Sequence, residues 1–137
     1  MILVDSNILI DVHGNDARWA EWSIGQIEAL TRTEILAINH IVVAEVSPRH
    51  RSIAAFHAML RELSVLIEPF SDEAAFEAGL AFQSHRRNGS TTKSVLPDFF
   101  IGGHALVLGA TILTRDPRFY RSYFPSVPLI APQKAEK

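Results

Sequence analysis

The stretch LPDFFIGGHALVLGATILTRDPRFY, residues 96–120, leaves a chain few ways to fold. Pro97 and Asp98 open a helix, because proline is tolerated in a first turn and the helix dipole favours a carboxylate there. The helix is apolar and stops at Gly109, a residue suited to the left-handed conformation that ends helices. A short strand, ATIL, follows, and the chain then reaches Asp116. One acid therefore sits in the first turn of a helix and the other where a strand ends. The N-terminus carries a counterpart, since the apolar run MILV meets Asp5 directly.

The rest of the chain repeats this alternation. Ile35–Ile38 reads as a second strand, Val65–Ile67 as a short extended piece and Val127–Ile130 as a final strand. Between them, Ser6 or Asn7 caps a short helix ending near His13-Gly14, and Asn15 or Asp16 starts a longer one. Asn39 caps a helix over Ile41–Val46 that stops before Pro48. Ser52–Leu63 is amphipathic, and Ser71 caps a helix that closes on His85, Arg86 and Arg87. A polar loop is expected over 88–94 and a last helical turn over Pro117–Tyr123. Short apolar strands separated by helices predict an α/β fold, a central, mostly parallel sheet flanked by helices. Ligands bind outside the carboxyl ends of the strands in such sheets, the edge on which Asp5 and Asp116 should both lie.

At 137 residues the chain fits one domain, expected over 1–131 with a frayed tail over 132–137. No apolar run approaches a membrane span, and MILV meets an acid too soon for a secretory signal. Without cysteine, disulfides and thiolate metal sites are excluded, and a reducing, cytoplasmic setting is expected. A net charge of −2 argues mildly against sequence-independent nucleic-acid binding over the whole surface. An acidic pocket rimmed by arginines would give the same sum.

Two aspartates at one sheet edge repel by roughly 4 kcal/mol at about 4 Å and an effective dielectric near 20. A divalent ion removes that cost. Asp5 also reads as a plain helix cap, and Asp98 as a plain first-turn acid. Glu45 lies within IVVAEV on a helix apolar nearly all round, where a free carboxylate is costly. It either pairs with Arg49 one turn on or points into the pocket. Gly102 and Gly103, unfavourable inside a helix, would let Asp98's helix pack very closely. Oxygen ligands without histidine or cysteine suit Mg2+ or Mn2+ and phosphoryl chemistry, in which the ion generates a nucleophile and neutralises the leaving oxygen. Thr114 shares a strand face with Asp116, and Ser6 and Asn7 could orient Asp5. Asp11 reads as a helix-surface acid and Asp72 as a first-turn acid. Arg49, His50 and Arg51, then Arg86, Arg87 and Lys93, form candidate basic rims for a polyanion. Arg115, Arg118 and Arg121, interleaved with Phe119, Tyr120 and Tyr123, could add stacking. The six scattered histidines form no HxxxH pair, and no GxSxG or phosphate-loop motif occurs.

The motifs in order resemble a known family. ILVDSNILID, NHIVVAEV, PDFFIGGHALVLGATILTRDPRFY and the ending YFPSVPLIAP are together similar to PIN-domain ribonucleases, specifically the VapC toxins of type II toxin–antitoxin pairs. The resemblance implies that Asp5, Glu45, Asp98 and Asp116 form an acidic quartet binding Mg2+ or Mn2+, with Thr114 auxiliary. It further implies hydrolysis of single-stranded RNA, inhibition of translation, a homodimer, and a VapB-type antitoxin inserted over the acidic pocket. Ser6 stands where many members carry threonine. A HAD-type phosphatase would need an aspartate two residues after Asp5, where Asn7 stands, and a receiver domain needs a mid-chain acceptor aspartate and a late lysine. An inert PIN-like module that only binds RNA or protein is the remaining alternative.

Overall fold

The computed structural model describes residues 1–90 and 96–133. Lys93, most of the expected polar loop and the end of the tail lie outside the described residues. Five short strands, β1 (Ile2–Val4), β2 (Leu36–Ile38), β3 (Val65–Ile67), β4 (Thr111–Leu113) and β5 (Leu129–Ile130), form one sheet in the order β3-β2-β1-β4-β5. Every pairing is parallel, so the sheet expected to be mostly parallel is wholly so among the described residues. In register, Ile2 faces Leu36 on one side and Thr111 on the other. Each residue of β1 and β2 is buried, as strands covered by helices on both faces must be.

The strand order decides where a site can form. From β1 the chain steps outward through β2 to β3, then returns to place β4 on the other side of β1. The β1/β4 junction is thus the point where the winding reverses, the place at the carboxyl ends where sheets of this kind bind ligands. Asp5 and Asp116 follow the two strands that flank it.

The helices among the described residues are α1 (Ser6–Gly14), α2 (Ala20–Leu30), α3 (His40–Val46), α4 (Ile53–Leu63), α5 (Asp72–Arg87), α6 (Pro97–Leu108) and α7 (Arg118–Tyr123). A 3-10 turn over Ser47–Arg49 follows α3 and contains Pro48. Side-chain caps fall where the sequence places them for Asn39 and Ser71, whereas Ser52, read as the first residue of its helix, caps it. At α1 the cap is Asp5, one residue before Ser6. Helix α2 starts at Ala20, later than expected. Asn15 instead closes α1 in a left-handed conformation (φ 50°), and Asp16 folds a turn by accepting from the Arg18 and Trp19 N–H groups. The last strand begins at Leu129 because Val127 turns back to bond the Phe124 carbonyl and Pro128 has no N–H to give.

The paired glycines set the position of α6. A Cβ on Gly103 would stand 2.6 Å from the Ala74 carbonyl oxygen and 2.8 Å from the Ala78 nitrogen of α5. One on Gly102 would stand 2.3 Å from the Phe124 ring. Helices α5 and α6 therefore meet backbone to backbone, fixing the helix that bears Asp98. No described helix is long and apolar enough to cross a membrane.

Candidate functional site

Asp5 is both the cap of α1 and a buried acid, 4% exposed. Its Oδ1 accepts from the Ser6 N–H at 2.7 Å. Its Oδ2 accepts from the Thr114 hydroxyl at 2.9 Å and from the Tyr120 hydroxyl at 3.0 Å. Burial pushes the Asp5 carboxyl above its ordinary range, and these hydrogen bonds pull against that rise. Thr114, at the end of β4, is fully buried; besides donating to Asp5, its oxygen accepts from Asn7 Nδ2 at 3.3 Å and from the Asp116 N–H at 3.1 Å. Asn7 Oδ1 in turn accepts from the Arg115 N–H at 3.3 Å. Thr114 and Asn7 thereby tie the two strand-end acids together.

Glu45 lies in the last turns of α3, whose start is fixed by Asn39 accepting from the Ile41 and Val42 N–H groups. It forms no ion pair with Arg49 among the described residues, so the pairing weighed from sequence is absent. Its Oε1 is buried and has no hydrogen-bond partner. Burial raises its pKa, the Ser6 hydroxyl opposes this, and the Asp5 charge adds to the rise. Asp98 sits in the first turn of α6, after Pro97. Its carboxyl is pushed up to about 7, first by burial and then by the charges of Asp5, Glu45 and Asp116, with the Tyr120 hydroxyl acting against them. Asp116 is 60% exposed in its side chain and lies 3.6 Å from the Arg118 guanidinium.

The four predicted acids thus share one electrostatic environment, with Asp98 feeling the other three. Among the described residues, however, no three aspartate, glutamate or histidine side chains converge closely enough to cage an ion as they stand. The residues still fit a hard divalent cation. The donors are all oxygens, Asp5, Glu45 and Asp98 have no ion pair among the described residues, and Glu45 Oε1 is a buried acceptor with no hydrogen-bond partner there.

Several residues of this region were missed or misplaced by sequence reasoning. Tyr120 is buried, not a surface stacking group. It donates to Asp5, and its own pKa is driven well above the usual value by burial and by the Asp5 and Asp98 charges, so it stays a donor. Its position four residues after Asp116, on α7, was the available signal. Asp11 is not a surface acid: it is 1% exposed, accepts from Ser23 at 3.2 Å and is gripped by Arg115 at 2.7 and 3.1 Å. Arg115 is therefore committed to Asp11 and is not a free cation. Phe119 and Tyr123 pack on Phe99 in an aromatic cluster and offer no free stacking platform. Arg86 and Arg87 stand exposed at the end of α5, without an ion pair among the described residues.

A family model for the PIN domain matches residues 2–125. Comparison with curated proteins yielded no match. Among solved structures, a chain of VapBC2 from Rickettsia felis bound to a DNA fragment from its promoter superposes with a TM-score of 0.75 at 20% identity, spanning 97% of this chain and 100% of that one. A toxin–antitoxin complex from Klebsiella pneumoniae gives 0.67 at 23%, over 97% and 98% of the two chains. FitAcB from Neisseria gonorrhoeae gives 0.67 at 20%, over 95% and 96%. At these identities the likeness is one of fold. The family model, by contrast, spans all four acid-bearing elements, and the chain belongs to the PIN domain family.

Proposed function

We propose that the protein is a Mg2+- or Mn2+-dependent endoribonuclease and the toxin of a VapBC-like type II toxin–antitoxin pair. The observation that carries this reading is the set of buried acids in a PIN-family chain: Asp98 feels the charges of Asp5, Glu45 and Asp116, and Glu45 Oε1 is buried with no hydrogen-bond partner. Asp5, Glu45, Asp98 and Asp116 would hold the ion. The chemistry it supplies when bound is charge neutralisation at the phosphate and a water made nucleophilic at neutral pH. The chain's own residues do the positioning. Ser6, Thr114 and Tyr120 hold the Asp5 carboxylate in one orientation, Asn7 keeps Thr114 in place, and the close α5–α6 packing fixes the start of α6. The fold shared with VapBC2 and the Klebsiella toxin–antitoxin complex supports a VapB-type antitoxin partner; a homodimer, a cytoplasmic setting and an RNA substrate are part of the same proposal.

The test is cleavage of single-stranded and structured RNA by purified, antitoxin-free protein. Cleavage should require Mg2+ or Mn2+, stop with EDTA and be abolished by Asp5→Asn. Activity surviving both treatments would belong to a contaminant and sink the quartet. RNA binding without cleavage under any metal would leave the chain a binding module.

A further inference from the structure

Next to the acidic crevice lies a second, chemically different cavity. The Asp16 turn, with Oδ1 accepting from the Arg18 and Trp19 N–H groups at 2.8 Å each, presents these two side chains at the entry to α2. They line a cleft of about 580 Å³ together with Arg115, Asp116, Arg118 and Arg121. That volume falls within the roughly 300–1,000 Å³ of ligand clefts. The Trp19 ring is braced edge-on by Trp22 at 6.4 Å, and the Arg18 guanidinium lies over it at 5.0 Å. Arg115, spent on Asp11, forms a fixed wall 5.8 Å from the same ring. Arg118 is 88% exposed and only loosely paired with Asp116, while Arg18 and Arg121 have no ion pair among the described residues.

Unspent guanidinium groups around an indole face are how proteins hold an unpaired nucleic-acid strand, phosphate on the cations and base on the ring. Asp116 belongs both to this cleft and to the acid set, so a strand crossing the acids would run directly into the cleft. We propose that the cleft is the subsite for the nucleotide next to the scissile phosphate, with Arg118 and Arg121 binding its phosphate and Trp19 and Arg18 flanking its base. Arg18 is exposed and can clasp the base against the ring. A base inside a duplex cannot reach that ring, so the subsite selects single-stranded RNA. This inference rests on the ribonuclease reading and adds where the strand runs and what grips it.

The test uses full-length Asp5→Asn protein with Mg2+ and a fluorescein-labelled single-stranded RNA, with anisotropy followed against salt. Adding Trp19→Ala should weaken binding roughly tenfold or more, whereas Trp19→Phe should stay within about threefold of the parent. Arg121→Ala should weaken binding to all sequences alike and reduce the log–log salt slope by about one. Arg121 is exposed, so its variant carries the test should Trp19→Ala fail to fold, as judged by thermal melts. Unchanged affinity in both alanine variants overturns the subsite; metal-dependent cleavage by the wild type, run in parallel, would then leave the ribonuclease reading standing. A wild type that neither binds nor cleaves RNA overturns both. Unchanged RNA affinity with loss of binding to an acidic peptide would assign the cleft to a protein partner and overturn it too.

Discussion

At the scale of the residue, Asp98 makes a measurable claim about pH. Its carboxyl titrates near 3.8 in an unfolded chain and at about 7 in the metal-free fold. Between those values the native state holds a proton that the unfolded state has released, so this group's contribution to stability falls as pH rises from roughly 4 through 7. His50 and His104, whose pKa values are lowered mainly by burial, act in the opposite direction. The effect is therefore read as a difference between variants. In EDTA, Asp98→Asn should melt above the wild type at pH 8, and that advantage should shrink towards pH 5. A difference independent of pH would mean that Asp98 is not crowded by the other acids. Of the four acids named from the sequence, Asp98 does feel the charges of the other three, but nothing in the sequence showed what holds Asp5 or Asp11 in place. Tyr120 and Asp11 looked like surface groups because their partners, Asp5 and Arg115, are more than a hundred positions distant in the chain. Periodicity within one helix carries no information about such pairs.

At the scale of the element, α6 depends on having no side chain at Gly103. Most helices, the caps at Asn39 and Ser71 and the strand before Asp116 were legible because they follow from local spacing. The glycines announced close packing, whereas its target, the α5 backbone at Ala74 and Ala78, depended on tertiary placement. Gly103→Ala would force a methyl against backbone atoms that cannot swing aside. Such overpacking typically costs about 1–3 kcal/mol, more than the roughly 1 kcal/mol that alanine gains over glycine in a helix. A lowered melting temperature is the expected outcome, along with reduced RNA cleavage as Asp98 shifts. An unchanged or raised melting temperature would show that α5 yields. The late start of α2 and the shortened β5 were the least legible boundaries, since both were set by single side-chain or turn hydrogen bonds.

At the scale of the whole molecule, the reversal of winding between β1 and β4 brings the two strand-end acids to one crevice, while α3 and α6 bring the other two. Four acids gathered this way favour the folded state only when something positive binds among them. Ligand binding to the native state stabilises by about 2.7 kcal/mol at a hundred times the dissociation constant. Mn2+ should therefore raise the melting temperature of the wild type, raise it far less for Glu45→Gln, and lose its effect in EDTA. Equal shifts in both proteins would place the ion elsewhere.

The hydrogen bond between Thr114 and Asp5 spans 109 positions of the chain. During synthesis Asp5 must therefore wait for Thr114 before its carboxylate is oriented, and β1 lacks one of its two neighbours until β4 has been made. A nascent chain halted between residues 45 and 111 has Asp5 and Glu45 but no β4 to set beside β1. If the mature protein cuts RNA, the order of its strands protects the message being read from the enzyme being written.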